Sequence, residues 1–145
     1  MRERWTKAIH PLVLRLGGLD PSVLTWSSLA LALIAFYLLM GAEEDSSGSL
    51  AIAGAVVIIL IAAILDGLDG ALARHQGVDG DYGDFLDHTI DRIVDVGLLV
   101  AIGMNTAFID DPSSGYLAAL LTLFGSYMGT QAQSVGLGRI YGGFS

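Results

Sequence analysis

The chain has 145 residues, 53% of them hydrophobic and only 15% charged, with a mean hydropathy of +0.63. That is too apolar for an ordinary soluble domain and reads as an integral membrane protein. The absence of cysteine excludes disulfides, thiolate metal ligands and a cysteine nucleophile, and a net charge of −8 leaves no basic patch for nucleic acid.

The seven basic residues are distributed unevenly. Arg2, Arg4, Lys7 and Arg15 precede the first apolar span, Arg74 and Arg92 flank the connection between the second and third, and Arg139 follows the fourth. The other two connections, residues 41–49 and 110–114, hold no Lys or Arg and carry Glu43, Glu44, Asp45, Asp110 and Asp111. By the positive-inside rule the N-terminus, the central connection and the C-terminal end are expected on the cytoplasmic side of the cell membrane.

In chain order, residues 1–18 form the first unit. Trp5, Ile9, Leu12, Val13 and Leu16 recur at helical spacing with Arg2, Lys7 and Arg15 elsewhere on the wheel, which predicts an amphipathic helix lying on the membrane surface. His10, Pro11 and Arg15 interrupt its apolar part and argue against a signal peptide. Gly17-Gly18 ends that helix. Asp20-Pro21-Ser22 starts the next, with Asp20 as N-cap and Pro21 at the first helical position. Residues 19–145 form the transmembrane unit. Span one is Val23 to Met40, within the roughly 17–25 residues a crossing needs. Span two begins at Leu50 and continues helically from Leu65 through Arg74. The connection 75–83 is rich in glycine and aspartate. Span three runs from about Asp84 to Ile109 and span four from Gly115 to about Gly136. The expected fold is an all-α polytopic membrane bundle: one interfacial helix and four transmembrane helices.

Ionised groups at the edge of hydrocarbon are expensive, which marks residues 66–91 as functional. On a helix Asp66 and Asp69 share a face, as do Asp87 and Asp91, with Asp84 and Asp95 extending the second face. A short connection makes the two helices antiparallel neighbours, so the acidic faces can meet. Four converging carboxylates repel one another unless a divalent cation lies between them, and an all-oxygen donor set selects Mg²⁺ or Mn²⁺ over zinc. Such ions usually serve substrate phosphates. A carboxylate left partly free can act as general base, and Arg74, one turn beyond Asp69, is placed to bind a phosphate oxygen. The residues therefore predict metal-assisted phosphoryl transfer at the membrane face.

The pattern Asp66-x2-Asp69-Gly70-x2-Ala73-Arg74-x8-Gly83-x3-Asp87-x3-Asp91 resembles, at every position, the signature of the CDP-alcohol phosphotransferases, also called CDP-alcohol phosphatidyltransferases. Eight fixed residues at these offsets arise by chance on the order of 10⁻⁹ per start position. Asp20-Pro21-Ser22-Val23-Leu24-Thr25 looks like the Pro-Asn-x-x-Thr run that opens span one in that family, with Ser22 where Asn is usual. The resemblance implies transfer of a phosphatidyl-type group (diacylglycerol or archaeol phosphate) from a CDP-linked lipid to an alcohol acceptor, with release of CMP. It implies two Mg²⁺ or Mn²⁺ ions held by Asp66, Asp69, Asp87 and Asp91, with Asp91 also the base. Asp66, Asp69, Gly70, Ala73, Arg74 and Gly83 would form the nucleotide site. Asp84, Asp95, Gln131 and Arg139 are candidates for the acceptor site. A homodimer is expected. Members of the family usually have six spans, so the chain is expected to be truncated after its fourth. Members that use inositol phosphate often carry Ser-Tyr-x-Lys-Ala-Arg-Ala-Glu near the end of span four; here residues 126–133 put Gly129 and Gln131 where the Lys and Arg stand.

Plainer readings accompany several of these residues. Asp84 can cap the third helix, Asp95 can pair with Arg92, and His75 and His88 suit interfacial positions better than ligation of a hard ion. Gln131 and Gln133 either line a cavity or bond between helices. Gly125 and Gly129 form a G-x-x-x-G stripe for packing or dimer contact. An acidic-site cation channel or transporter and a non-catalytic membrane fragment are the competing functions; a channel would place its carboxylates along a pore, whereas these cluster toward one side.

Overall fold

The structure, a computed structural model, describes residues 11–78 and 80–136. Those residues form four long helices and no strand: α1 Pro21–Met40, α2 Ser46–Gln76, α3 Asp81–Gly103 and α4 Ser113–Ser134. The surface helix predicted for residues 1–18 is described only from residue 11, where 11–16 are helical; Arg139 and Asp79 also lie outside the described residues. The chain is an all-helical membrane bundle. α1 and α2 are both long and apolar enough to cross a bilayer. At 23 and 22 residues α3 and α4 are also long enough, but they are more polar, α3 carrying five aspartates among its first fifteen residues.

Aspartates start three of the helices. Asp20 accepts from the Ser22 N–H at 2.9 Å and its hydroxyl at 2.7 Å, with Pro21 at the first position of α1 as the sequence predicts. Asp45 takes the Gly48 N–H at 2.7 Å ahead of α2, and Asp111 takes the Ser113 N–H at 2.9 Å ahead of α4. These bonds hold all three carboxyls below the usual carboxylate range: Ser22 dominates at Asp20, Gly48 at Asp45 and Ser113 at Asp111. α3 departs from expectation. Its cap is Gly80, with no side-chain bond, and Asp84 lies in the first turn with its N–H already bonded to the Gly80 carbonyl. The helix starts before Asp84, so Asp84 does not cap it.

The lateral order of the helices is α2, α1, α3, α4. α1 packs on both α2 and α3, and α4 packs on α3. α2 and α3, expected as close neighbours because their connection is short, barely touch, since α1 fills the space between them. One face of α1 makes this possible. Thr25, Ser28, Ala32 and Ala35 recur at three- and four-residue intervals and are buried, letting neighbouring backbones approach. Two apolar clusters result. Leu24 meets Val13, Leu68 and Leu72 on the α2 side; Ala32 and Phe36 meet Ala101 on the α3 side. The Phe36 ring lies so close over Gly97 that a Cβ there would be 2.5 Å from it.

α3 ends six residues before the predicted Ile109, and Asn105 is the reason. Its amide donates to the Leu39 and Ala42 carbonyls at 2.6 and 2.9 Å, closing the end of α1. Its side-chain oxygen accepts from the Ala107 and Phe108 N–H groups at 2.9 and 3.2 Å, turning the chain toward α4. The buried amide is therefore satisfied on both sides. α4 then returns against α3 at a glycine crossing, where a Cβ on Gly103 would stand 2.7 Å from Gly115 Cα.

That crossing gives a sign test. Gly103→Ala should destabilise the bundle by about 1–3 kcal/mol, because the obstacle is backbone and cannot rotate away. Gly125→Ala, which meets nothing within 4 Å, should be neutral or stabilising by up to about 1 kcal/mol. Unfolding in detergent, followed by helical circular dichroism, checks both; equal effects would refute the close crossing.

Candidate active site

α2 runs without a break through Asp66 and Asp69 to Gln76, as predicted, because nothing in residues 66–76 interrupts its hydrogen bonding. It stops at Gly77, which adopts a left-handed conformation (φ 67°), while the Gly77 and Val78 N–H groups both close on the Ala73 carbonyl. Only residues 77–80 separate it from α3. Gln76 ties this end to the start of α1, donating to the Gly17 and Leu19 carbonyls at 3.1 and 2.7 Å.

The acidic groups converge as expected, although their helices do not pack. One carboxylate oxygen from each of Asp66, Asp69 and Asp87 lies within 4.8 Å of the others. Asp87 also belongs to a second such group, with His88 and Asp91. Asp87 is thus common to both groups. Asp66, Asp87 and Asp91 are half-buried; Asp69 is buried, only 4% exposed, between Leu68 and Leu72. Like charges this close in a partly dry site need a cation, and an oxygen donor set suits a hard divalent one.

Beside the first group lies a cavity of about 850 Å³, walled by residues 17–22, the end of α2 and the start of α3. Asp69, Gly70, Ala73, Arg74, Gly83, Asp84 and Asp87 all line it. A Cβ on Gly70 would come within 3.3 Å of the Arg74 guanidinium, and one on Gly83 would project into open space. The glycines thus keep the wall low beside an exposed cation. Asp66 and Asp91 are not part of the lining.

The acceptor candidates are scattered. Asp95 forms an exposed ion pair with Arg92 at 3.1 Å, the plainer reading of that residue. Gln131 is exposed, and its backbone carbonyl takes the Val135 N–H and the Ser134 hydroxyl. A second cavity, about 960 Å³ between α3 and α4, is lined by His88, Thr89, Arg92, Ser126 and Gln133, among others, but not by Gln131 or Asp95. Among the described residues no side chain packs where Gly125 and Gly129 would carry one. Sequence reasoning passed over Thr25 and Gln76 as cavity residues. The Asp20–Thr25 run that opens span one was the available signal for Thr25.

The family model for CDP-alcohol phosphatidyltransferases matches residues 19–132. The chain belongs to this family. Among similar proteins, an archaetidylinositol phosphate synthase of Pyrococcus horikoshii is 37% identical over 111 residues, covering 77% of this chain and 52% of that protein. A phosphatidylinositol phosphate synthase of Mycolicibacterium smegmatis is 33% identical over 125 residues, covering 83% of this chain and 53% of its own length. The chain thus spans about half the length of these curated relatives. A CDP-diacylglycerol–serine O-phosphatidyltransferase of Mycobacterium leprae is 36% identical over 67 residues, 46% of this chain and 22% of that protein. No solved structure matches the chain.

Because Asp87 is common to both acidic groups, Asp87→Asn should weaken Mn²⁺ binding by more than 10-fold, measured by isothermal titration calorimetry in detergent. Asp95→Asn should leave the affinity within about twofold, its ion pair being exposed. Equal losses in the two variants would show that Asp87 holds no special place.

Proposed function

We propose that this chain carries the phosphotransfer centre of an enzyme that moves a phosphatidyl-type group, diacylglycerol or archaeol phosphate, from a CDP-linked lipid to an alcohol acceptor and releases CMP. The observation that carries the reading is the meeting of Asp66, Asp69 and Asp87 beside a cavity lined by the rest of the motif. Two Mg²⁺ or Mn²⁺ ions held by Asp66, Asp69, Asp87 and Asp91 would, when bound, neutralise phosphate charge. The remaining work falls to the chain. Arg74 takes a phosphate oxygen of the CDP moiety, and Gly70, Ala73 and Gly83 leave room for the nucleotide. Asp91 receives the proton of the acceptor hydroxyl. The freed oxygen forms the new bond to the lipid-linked phosphorus as the bond to CMP breaks. The names of the relatives make inositol phosphate the first acceptor to test. A homodimer and a cytoplasmic site complete the proposal, the latter supported by the charge asymmetry of the connections.

With purified chain in detergent, CDP-lipid, Mg²⁺ and a panel of alcohols, CMP should appear, and Asp91→Asn should lower its rate by about 10²–10⁴-fold. Chelator should abolish it. An unchanged rate in either case would overturn the mechanism; ion flux in liposomes without CMP would favour a transporter. Orientation has its own check, since the chain has no cysteine. In intact cells an impermeant maleimide should label Ser47→Cys, and should label Val78→Cys only after permeabilisation. The reverse pattern would invert the topology.

A further inference from the structure

Among the described residues, one hydrogen bond joins a carboxylate of the acidic site to α1. The Thr25 hydroxyl, in the second turn of α1, donates to Asp69 Oδ2 at 2.5 Å. Its alternative acceptor, the Pro21 carbonyl one turn back, is 3.4 Å away, so the single proton belongs to the carboxylate. The surroundings make this bond count. Thr25 and Asp69 are 5% and 4% exposed, and their chain neighbours Leu24 and Leu68 belong, with Leu72 and Val13, to one apolar cluster. Asp69 is the one carboxylate among the described residues to be buried in this way. Its other oxygen faces the Gly70 N–H at 2.5 Å. No hydrogen bond among the described residues reaches the carboxylates of Asp66 or Asp87, the two groups that share the cluster with it.

The three carboxylates therefore differ in freedom. Asp66 and Asp87 can rotate to meet an ion, whereas Asp69 is fixed before one arrives. The geometry points to Thr25 as the positioning residue of the cation site: it sets the orientation of Asp69, around which the other ligands arrange themselves. A threonine suits this role better than a serine, because its β-branch restricts χ1 and keeps the hydroxyl aimed. Partners that orient a metal ligand typically change affinity by about 10- to 100-fold when removed. The inference rests on the metal-dependent reading of the site but does not need the transfer reaction itself.

The test is Mn²⁺ binding to the full chain in detergent, read by electron paramagnetic resonance, for wild type, Thr25→Val and Thr25→Ser. Thr25→Val keeps the shape and should weaken binding by about 10- to 100-fold. Thr25→Ser should recover most of the affinity. A role in packing alone would lower the melting temperature of Thr25→Val equally in EDTA and in Mn²⁺; a positioning role shrinks the rise that Mn²⁺ produces. In the CMP assay the loss in Thr25→Val should appear chiefly as a higher Mn²⁺ requirement, relieved at saturating ion. Thr25→Val binding Mn²⁺ like wild type, or wild type failing to bind it, would overturn the inference. Weakened binding in Thr25→Val with no CMP from wild type would instead sustain the inference and remove the transferase reading.

Discussion

Four carboxylates held close together at the edge of a hydrophobic bundle are the constraint that the rest of the structure serves. At the separations within the Asp66, Asp69 and Asp87 group, each like-charged pair is unfavourable by roughly 3–4 kcal/mol at an effective dielectric of about 20. A fold does not keep such a group without rigid support and a counter-ion. The support is visible: Leu68 and Leu72 are fully buried on either side of Asp69, the apolar cluster continues onto α1 and residue 13, and Thr25 supplies the donor that a buried carboxylate requires. The counter-ion is what the all-oxygen donor set is suited to hold.

The same constraint explains why α1 occupies the centre. An acidic α2 face pressed along its length against an acidic α3 face would bring still more charge together. With α1 between them, the two helices meet only through the groups that need to meet, and apolar contacts shift to α1, which buries Ala32 and Phe36 against α3 and Leu24 against α2. Polar groups finish this arrangement rather than drive it. Asn105 closes the end of α1 with two donated bonds, and Gln76 fastens the end of α2 to the chain that leads into α1. Each satisfies carbonyls at a helix end or a bend, where the helical pattern leaves them without partners.

Membership of the CDP-alcohol phosphatidyltransferase family gives this geometry a chemical setting. The cavity beside Asp69 is walled by the motif residues Gly70, Ala73, Arg74 and Gly83. The space between α3 and α4 is a separate chamber, and His88 connects the two regions by lining that chamber while standing within reach of Asp87 and Asp91. Asp87 belongs to both acidic groups.

Much of this was legible in the sequence because it depends on spacing along one helix. Asp66 and Asp69 three apart, Asp87 and Asp91 four apart, Asp20-Pro21 at a helix start and apolar runs of bilayer length are all local facts, set by 3.6 residues per turn. Asp66, Asp69 and Asp87 lie within reach of one another, as that spacing allows. Tertiary structure decided what depends on partners distant in sequence: α1 lying between α2 and α3, and Asn105 ending α3 early by bonding to the end of α1. Thr25 is the clearest instance. Its hydroxyl reaches a carboxylate 44 residues away, and no periodicity within α1 or α2 encodes that contact. Hydrogen bonds within a turn can be counted from a sequence, but those between helices exist only once packing has chosen which faces meet.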